Sequence, residues 1–319
     1  MKRIFFWLMT FLMGAIVFNA PAMAQEKFPA KAVTMLIGYE PGSATDASTR
    51  YLADYSAKIF KQPAIAVNRP GGGGSVALAE LKNAPPDGHT LGILTAGGAI
   101  NALLMKVPYH PVQDFEAIIH YMTVPEGLLV SATSPFKTVD DLLNYARANP
   151  GKVTYGSAGP NIALNMARLG GEAKVKWTNI PYGGGASIIP ALMGGHLTCA
   201  PVTTQFVPYV KAGKLRLLAT FTDKRMENFP EVPTLKELGY NISGSSIFGI
   251  VGPQGIPKDR VQLLHDVFHK GMETPQFQDI LRKFEAAYDY LDSEAFKKRI
   301  EEFYNGRVEL MKKYGEALK

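Results

Sequence analysis

Cysteine is almost absent from this chain: Cys199 is the only one among 319 residues. No internal disulfide can form, so stability must come from a buried core, which this length supplies as one large or two ordinary domains. Catalytic signatures are missing too. The sequence holds no G-x-x-x-x-G-K-[ST] phosphate loop, no H-E-x-x-H pair and no G-x-S-x-G elbow; "GSAG" at 156–159 lacks the spacing. His265 and His269 stand four apart on one predicted helix, but no third ligand accompanies them, and a surface helix accounts for both. Cys199 has apolar neighbours in a predicted strand and reads as inert packing. No metal, cofactor or enzymatic activity is called for.

Long apolar runs are scarce as well. The one candidate, 4–18, follows Lys2 and Arg3 and precedes Ala22-Met23-Ala24. That is the pattern of a secretory signal over 1–24, cleaved near Ala24, with a single membrane anchor as the alternative. No later stretch is long and apolar enough to span a bilayer. The expected location is a bacterial periplasm. Charge is modest: 34 basic residues less Lys2 and Arg3 leave 32 against 28 acids, a net +4. No dense Lys/Arg block stands out, which argues against nucleic acid. A mild positive field suits small anions.

What is present is an alternation. Strand-like "AVTMLI" (32–37) is followed by a helical segment, 46–60, with Leu52, Tyr55, Ile59 and Phe60 on one predicted face. Strand 64–67, helix 75–82 and strand 89–95 continue the series, and from about residue 128 it restarts. Thr138 and Asp141 form a cap pair at the start of the predicted helix "TVDDLLNYARANPG", with Pro150-Gly151 as its stop, and a further strand spans 214–221. Such an order predicts an α/β fold built from parallel βαβ units. "NRPGGGGSVALAEL" and "NIPYGGGASIIPALMGG" resemble each other, as do "PDGHTLGILT" and "GGHLTCAPVT". Two similar lobes would explain this; so would the general likeness of α/β turns. The chain ends in amphipathic helices expected to pack on the first lobe.

Small polar clusters occupy the predicted strand ends: "PGSATD" (41–46), "TAGGAIN" (95–101, with Thr95 and Gly97), "SAGPN" (157–161, with Asn161) and "VTTQ" (202–205, with Thr203). In an open parallel sheet ligands settle outside the carboxyl ends of the strands. Helices starting there offer unpaired N–H groups and a partial positive charge to an anion. Ordinary loops are the plainer reading of any one cluster. Asp46 reads as an N-cap or as a ligand contact, with Arg50 one turn on as its partner. Tyr39 and Tyr182 read as aromatic walls or as core.

Taken in order, "FPAKAVTMLI", "PGSATDASTR", "NRPGGGGSVALAEL", "APPDGHTL", "YGSAGPN", "IPYGGGASIIPALMGGHL", "VKAGKLRLLA" and "EVPTLKELGY" resemble the periplasmic solute-binding proteins of tripartite tricarboxylate transporters, the Bug family. The resemblance covers essentially the whole chain after the leader. It implies a two-lobed Venus-flytrap fold, each lobe a mainly parallel sheet flanked by helices. Lobe 1 would comprise 25–127 with 246–319 and lobe 2 128–245, with the ligand cleft between them. It also implies capture of a small organic (di)carboxylate or aromatic acid by a monomer that passes it to membrane transporter subunits. A sensor partner of a signalling kinase is the alternative, and an exported enzyme a third reading. Carried onto this chain, the contacts are Gly42, Ser43, Ala44, Thr45 and Asp46 from one lobe and Ser157, Ala158, Gly159, Tyr182 and Gly183 from the other. The chain departs from the pattern at Ser43, where a second glycine is common, and at Asn165, where a histidine is common. Glu40 is a further departure: an acid near the site disfavours a second carboxylate there.

Overall fold

The computed structural model describes residues 28–242 and 247–315; the leader expected at 1–24 lies outside them. A six-stranded sheet in one lobe and a three-stranded and a two-stranded sheet in the other organise the chain. The first is built from β1 (Val33–Ile37), α1 (Ala44–Phe60), β2 (Ala64–Asn68), α2 (Ser75–Lys82), β3 (Thr90–Thr95), α3 (Ala96–Leu104) and β4 (Phe115–Thr123). The chain then crosses to β5 (Glu126–Ser131), α4 (Val139–Ala148), β6 (Thr154–Ser157), α5 (Pro160–Ala173), β7 (Thr178–Pro181), α6 (Gly185–Met193), β8 (Ala200–Thr203), α7 (Val207–Lys211) and β9 (Leu215–Thr220). It returns through β10 (Phe248–Pro253) and closes with α8 (Lys258–Met272), α9 (Pro275–Lys283), β11 (Ala287–Leu291) and α10 (Ser293–Tyr314).

The first sheet has the order β11-β4-β10-β3-β1-β2. β1 pairs parallel with β2 and β3, whereas β10 lies antiparallel between β3 and β4. β1 to β4 therefore share one direction, and the returning strand β10 opposes them, as does β11. The second lobe repeats the plan. β6 and β7 pair parallel, a parallel bridge joins Tyr155 to Cys199 at the start of β8, and β5 lies antiparallel between β8 and β9. In each lobe the strand that arrived from the other, β10 or β5, runs against its sheet neighbours. The turn "RPGGGG" thus joins β2 to α2 where "YGGG" joins β7 to α6, which is why the two sequence pairs look alike.

Both faces of each sheet are apolar. Met35 and Ile93 face α1, α8 and α9, while Leu36 and Leu94 face α2 and α10; Leu128 and Val130 meet α4 and α5, and Leu129 meets α6. A strand covered on both sides has no polar face, so it reads as an unbroken apolar run. Helix ends follow local chemistry. Thr138 and Asp141 form a reciprocal capping box on α4. One expectation fails on α1: Ile59 is 54% exposed, and the buried stripe is Thr45, Thr49, Leu52, Ser56 and Phe60. Small residues let α1 approach its neighbours α8 and α9 closely; the Tyr51 hydroxyl lies 2.6 Å from that of Thr274, the cap of α9. His265 also departs from the surface reading. It is 8% exposed, with Nε2 3.0 Å from the Tyr290 hydroxyl, and His269 stacks on that ring.

Candidate functional site

A cavity of about 820 Å³ lies between the two lobes. Its walls are the ends of parallel strands from both lobes and the helix starts that follow them. Ser43, Ala44 and Thr45 bring the first turn of α1; Thr95, Ala96 and Gly97 that of α3; Gly159, Asn161 and Ile162 that of α5; Gly183, Gly184 and Gly185 that of α6. Four helix N-termini thus converge on one space. Each carries first-turn N–H groups without intrahelical partners and about half a positive charge.

The two lobes are capped differently. Ser43 Oγ accepts from the Asp46 N–H at 3.1 Å, and Thr95 Oγ1 from the Gly98 N–H at 3.3 Å. Helices α5 and α6 start at Gly159 and Gly184, and no side chain caps either one. In the second lobe the glycine turns leave those donors to whatever occupies the cleft. Among the described residues of the wall none is Lys, Arg or His; the charged ones are Glu40 and Glu126. Phe248, Phe284 and Tyr182 add aromatic surface, and Gln205 and Asn101 add amides.

The glycine turn of the first lobe is held by neighbours. An added Cβ at Gly38 would stand 2.3 Å from the Gly74 Cα, so the turns after β1 and β2 touch backbone to backbone. Asn101 donates to the Gly72 carbonyl and lies 3.1 Å from Ser75 Oγ. The Tyr39 hydroxyl lies 2.9 Å from Thr95 Oγ1 and 3.3 Å from the Gly73 carbonyl. Burial raises the Tyr39 pKa, outweighing the Thr95 hydrogen bond, so this phenol stays protonated and able to donate.

Tyr39, Gly42, Ser43, Ala44, Thr45, Thr95, Gly97, Ala158, Gly159, Asn161, Tyr182, Gly183 and Thr203 all line this cavity. Asp46 and Ser157 stand behind the wall instead. The cap of α1 is Ser43 rather than Asp46, whose carboxylate reaches back to the Gly42 N–H at 2.9 Å and also accepts from Arg50 Nε at 2.9 Å and Asn68 Nδ2 at 2.8 Å. Ser157 is 3% exposed and donates to Asn179 Oδ1 at 2.7 Å. Both side chains brace the turns that carry the wall.

Glu126, Asn101, Gln205, Phe248 and Phe284 also line the cavity without having been marked in the sequence. The acid in "VPEGLLVS" was the available signal for Glu126: a charge opening an apolar strand. Phe284 had none, since it arrives from the end of α9. Glu126 is the first residue of β5, just past the crossing from β4, and it also borders a second crevice of about 630 Å³ behind that crossing. Burial raises its pKa to about 7, although the Arg307 charge and the neighbouring Asn165 amide pull the other way. Arg307, on α10, is 5% exposed; burial lowers its pKa to about 10, and it donates to Asn165 Oδ1 at 2.7 Å.

Two α/β lobes that open their strand ends on a shared cavity walled by helix N-termini define a two-lobed solute-binding protein. Residues 48–315 match the tripartite tricarboxylate transporter family receptor, and the chain belongs to that family. A "UPF0065 protein in gbd 5'region" of Cupriavidus necator is 40% identical over 300 residues, covering 93% of this chain and 92% of that protein. Among solved structures, a TctC solute-binding protein from Polaromonas is 27% identical, covers 90% of this chain and 99% of its own, and superposes with a TM-score of 0.79. R. palustris Rpa4515 with adipate is 25% identical, covers 90% and 98%, and has a TM-score of 0.76.

Proposed function

We propose that this chain is a periplasmic receptor that closes its two lobes on a small organic acid and hands it to a tripartite tricarboxylate-type membrane transporter. The observation that carries this reading is the convergence of four helix N-termini on a cavity whose wall, among the described residues, has no cationic side chain. Backbone donors and helix dipoles suit a carboxylate. The thirteen wall residues marked in the sequence are its ligand contacts, while Asp46 and Ser157 hold the turns. The R. palustris relative described with adipate supports the substrate class.

The units that move are 25–127 with 246–319 and 128–245. Residues 1–24 serve as the export signal, cut near Ala24, and no helix among the described residues is long and apolar enough to cross a membrane. The receptor works as a monomer with no bond chemistry; its selectivity is differential affinity for the closed state.

Thermal melting of the mature chain against mono-, di- and tricarboxylates, aromatic acids and amides tests the reading. A ligand at about 100 times its Kd stabilises by about 2.7 kcal/mol. At least one acid should do so and be recovered unchanged. A panel in which no carboxylate shifts the melt overturns the reading.

A further inference from the structure

Glu40 and Glu126 are the charged residues of the cleft wall, and they differ in setting. Glu40 is exposed, where water solvates its charge. Glu126 is 5% exposed, and its Oε2 has no hydrogen-bond partner. Asn161, in the first turn of α5, is 8% exposed, and its Oδ1 also has none. Asn165 follows one turn later on the same helix face and lies beside Glu126. The face of α5 that lines the cleft is therefore the face that Glu126 meets.

Buried polar atoms without partners are few in native proteins and cost about 1–3 kcal/mol each. Here the Glu126 and Asn161 oxygens are acceptors on residues that border the same cavity, whereas Asn165 Nδ2, a donor without a partner, belongs to a residue outside the cavity wall. Behind them Arg307 of α10 donates to Asn165 Oδ1, and its charge favours the ionised form of Glu126. Such a site asks for donors without a further positive charge. An ionised carboxylate brings acceptors only. A hydroxyl or a primary amide brings donors and no charge.

We propose that Glu126 and Asn161 are the specificity-determining end of the cleft and receive an uncharged hydrogen-bond-donating head, a hydroxyl or a primary amide. The ligand's other end is the carboxylate held by the glycine-rich helix starts. This rests on the carboxylate reading of the same site and narrows it to hydroxy acids and acid amides, against plain diacids.

The test is titration calorimetry of the mature full chain with a matched six-carbon set: hexanoate, adipate, 6-hydroxyhexanoate, adipamate and 6-aminohexanoate. It is run near pH 8, above the value of about 7 reached by Glu126. The hydroxyl- or amide-headed acid should bind at least about tenfold tighter than hexanoate and adipate, the worth of one satisfied charged acceptor. In Glu126→Gln, which supplies a donor, the order should move towards adipate. In Asn161→Leu, which leaves the Arg307 contact untouched, the advantage over hexanoate should shrink; this variant carries the test if Glu126→Gln fails to fold. Adipate binding as tightly as the hydroxy acid overturns the proposal, and so does an unchanged order in both variants. Tightest binding of 6-aminohexanoate overturns the uncharged head. If no member of the set binds, the donor-head proposal fails, and the carboxylate reading fails with it only when the wider acid panel also leaves the melt unmoved; donor preference fails alone when all bind alike.

Discussion

Thr204 donates its hydroxyl hydrogen to the Phe284 carbonyl at 2.8 Å, and the two residues come from opposite lobes. Thr204 follows β8 of the second lobe, and Phe284 ends α9, packed on the first. Both line the cavity. Next to them Glu285 meets Lys211 at 3.6 Å and accepts from Asn228, again across the lobes. The wall of the cleft and the contacts that bridge the two lobes are neighbouring residues.

Thr204→Val should therefore weaken ligand capture more than folding. Losing one net hydrogen bond of about 1 kcal/mol lowers affinity about fivefold if the bond forms on closure. Calorimetry with any acid found in the panel reads this, and small-angle scattering should show a larger unliganded radius. Equal affinity in the variant would show that the contact persists in the open state.

Gly38→Ala should destabilise the first lobe. The new Cβ would press on the Gly74 backbone, which has no flexible end to yield. Overpacking of this kind costs about 1–3 kcal/mol. A melting temperature within a degree of wild type would mean that the two turns can separate without penalty.

Asp46→Ala separates bracing from binding. Its carboxylate, 6% exposed, holds the Gly42 N–H, Arg50 and Asn68. Stability should fall by about 2 kcal/mol as these donors lose their acceptor. Binding should change only as far as the turn loosens. A large affinity loss with an unaltered melt would move Asp46 into the ligand shell.

Glu126 makes stability depend on pH with a definite sign. An unfolded Glu titrates at its ordinary value of 4.5, whereas the buried group holds its proton to about 7. Between those values the folded state binds more protons, so its stability falls as pH rises and levels off above about 7. The span corresponds to a loss on the order of 3 kcal/mol at most. Glu126→Gln should remove it, so the stability difference between variant and wild type should grow in the variant's favour from about pH 5 to about pH 8. A difference that does not change with pH would show that Arg307 already holds the carboxylate ionised.

Cys199 should resist thiol reagents in the native state. It is fully buried, and burial pushes its pKa to about 12, so thiolate is negligible near neutrality. Labelling should appear only with unfolding. Rapid labelling below the melt would reveal local opening of the β6–β8 edge.

Much of this protein was readable along the chain because the causes are local. Apolar runs such as "TMLI" mark strands covered on both faces, Thr138 and Asp141 announce a helix start three residues apart, and the glycine turns recur where the two lobes repeat one plan. The clustering of small polar residues at strand ends is a property of neighbours in sequence, so thirteen wall positions were visible before any fold. Asp46 and Ser157 were visible too, yet their destination was not. Whether a carboxylate faces a cavity or accepts from Gly42, Arg50 and Asn68 depends on where residue 68 arrives. The same holds for Glu126, Asn165 and Arg307, which lie far apart along the chain and meet at the crossing between lobes. No pattern along the sequence encodes their joint burial, because desolvation belongs to a place and not to a residue. The composition of the cleft was written locally. Its polarity emerged only when α5, β5 and α10 closed around one another.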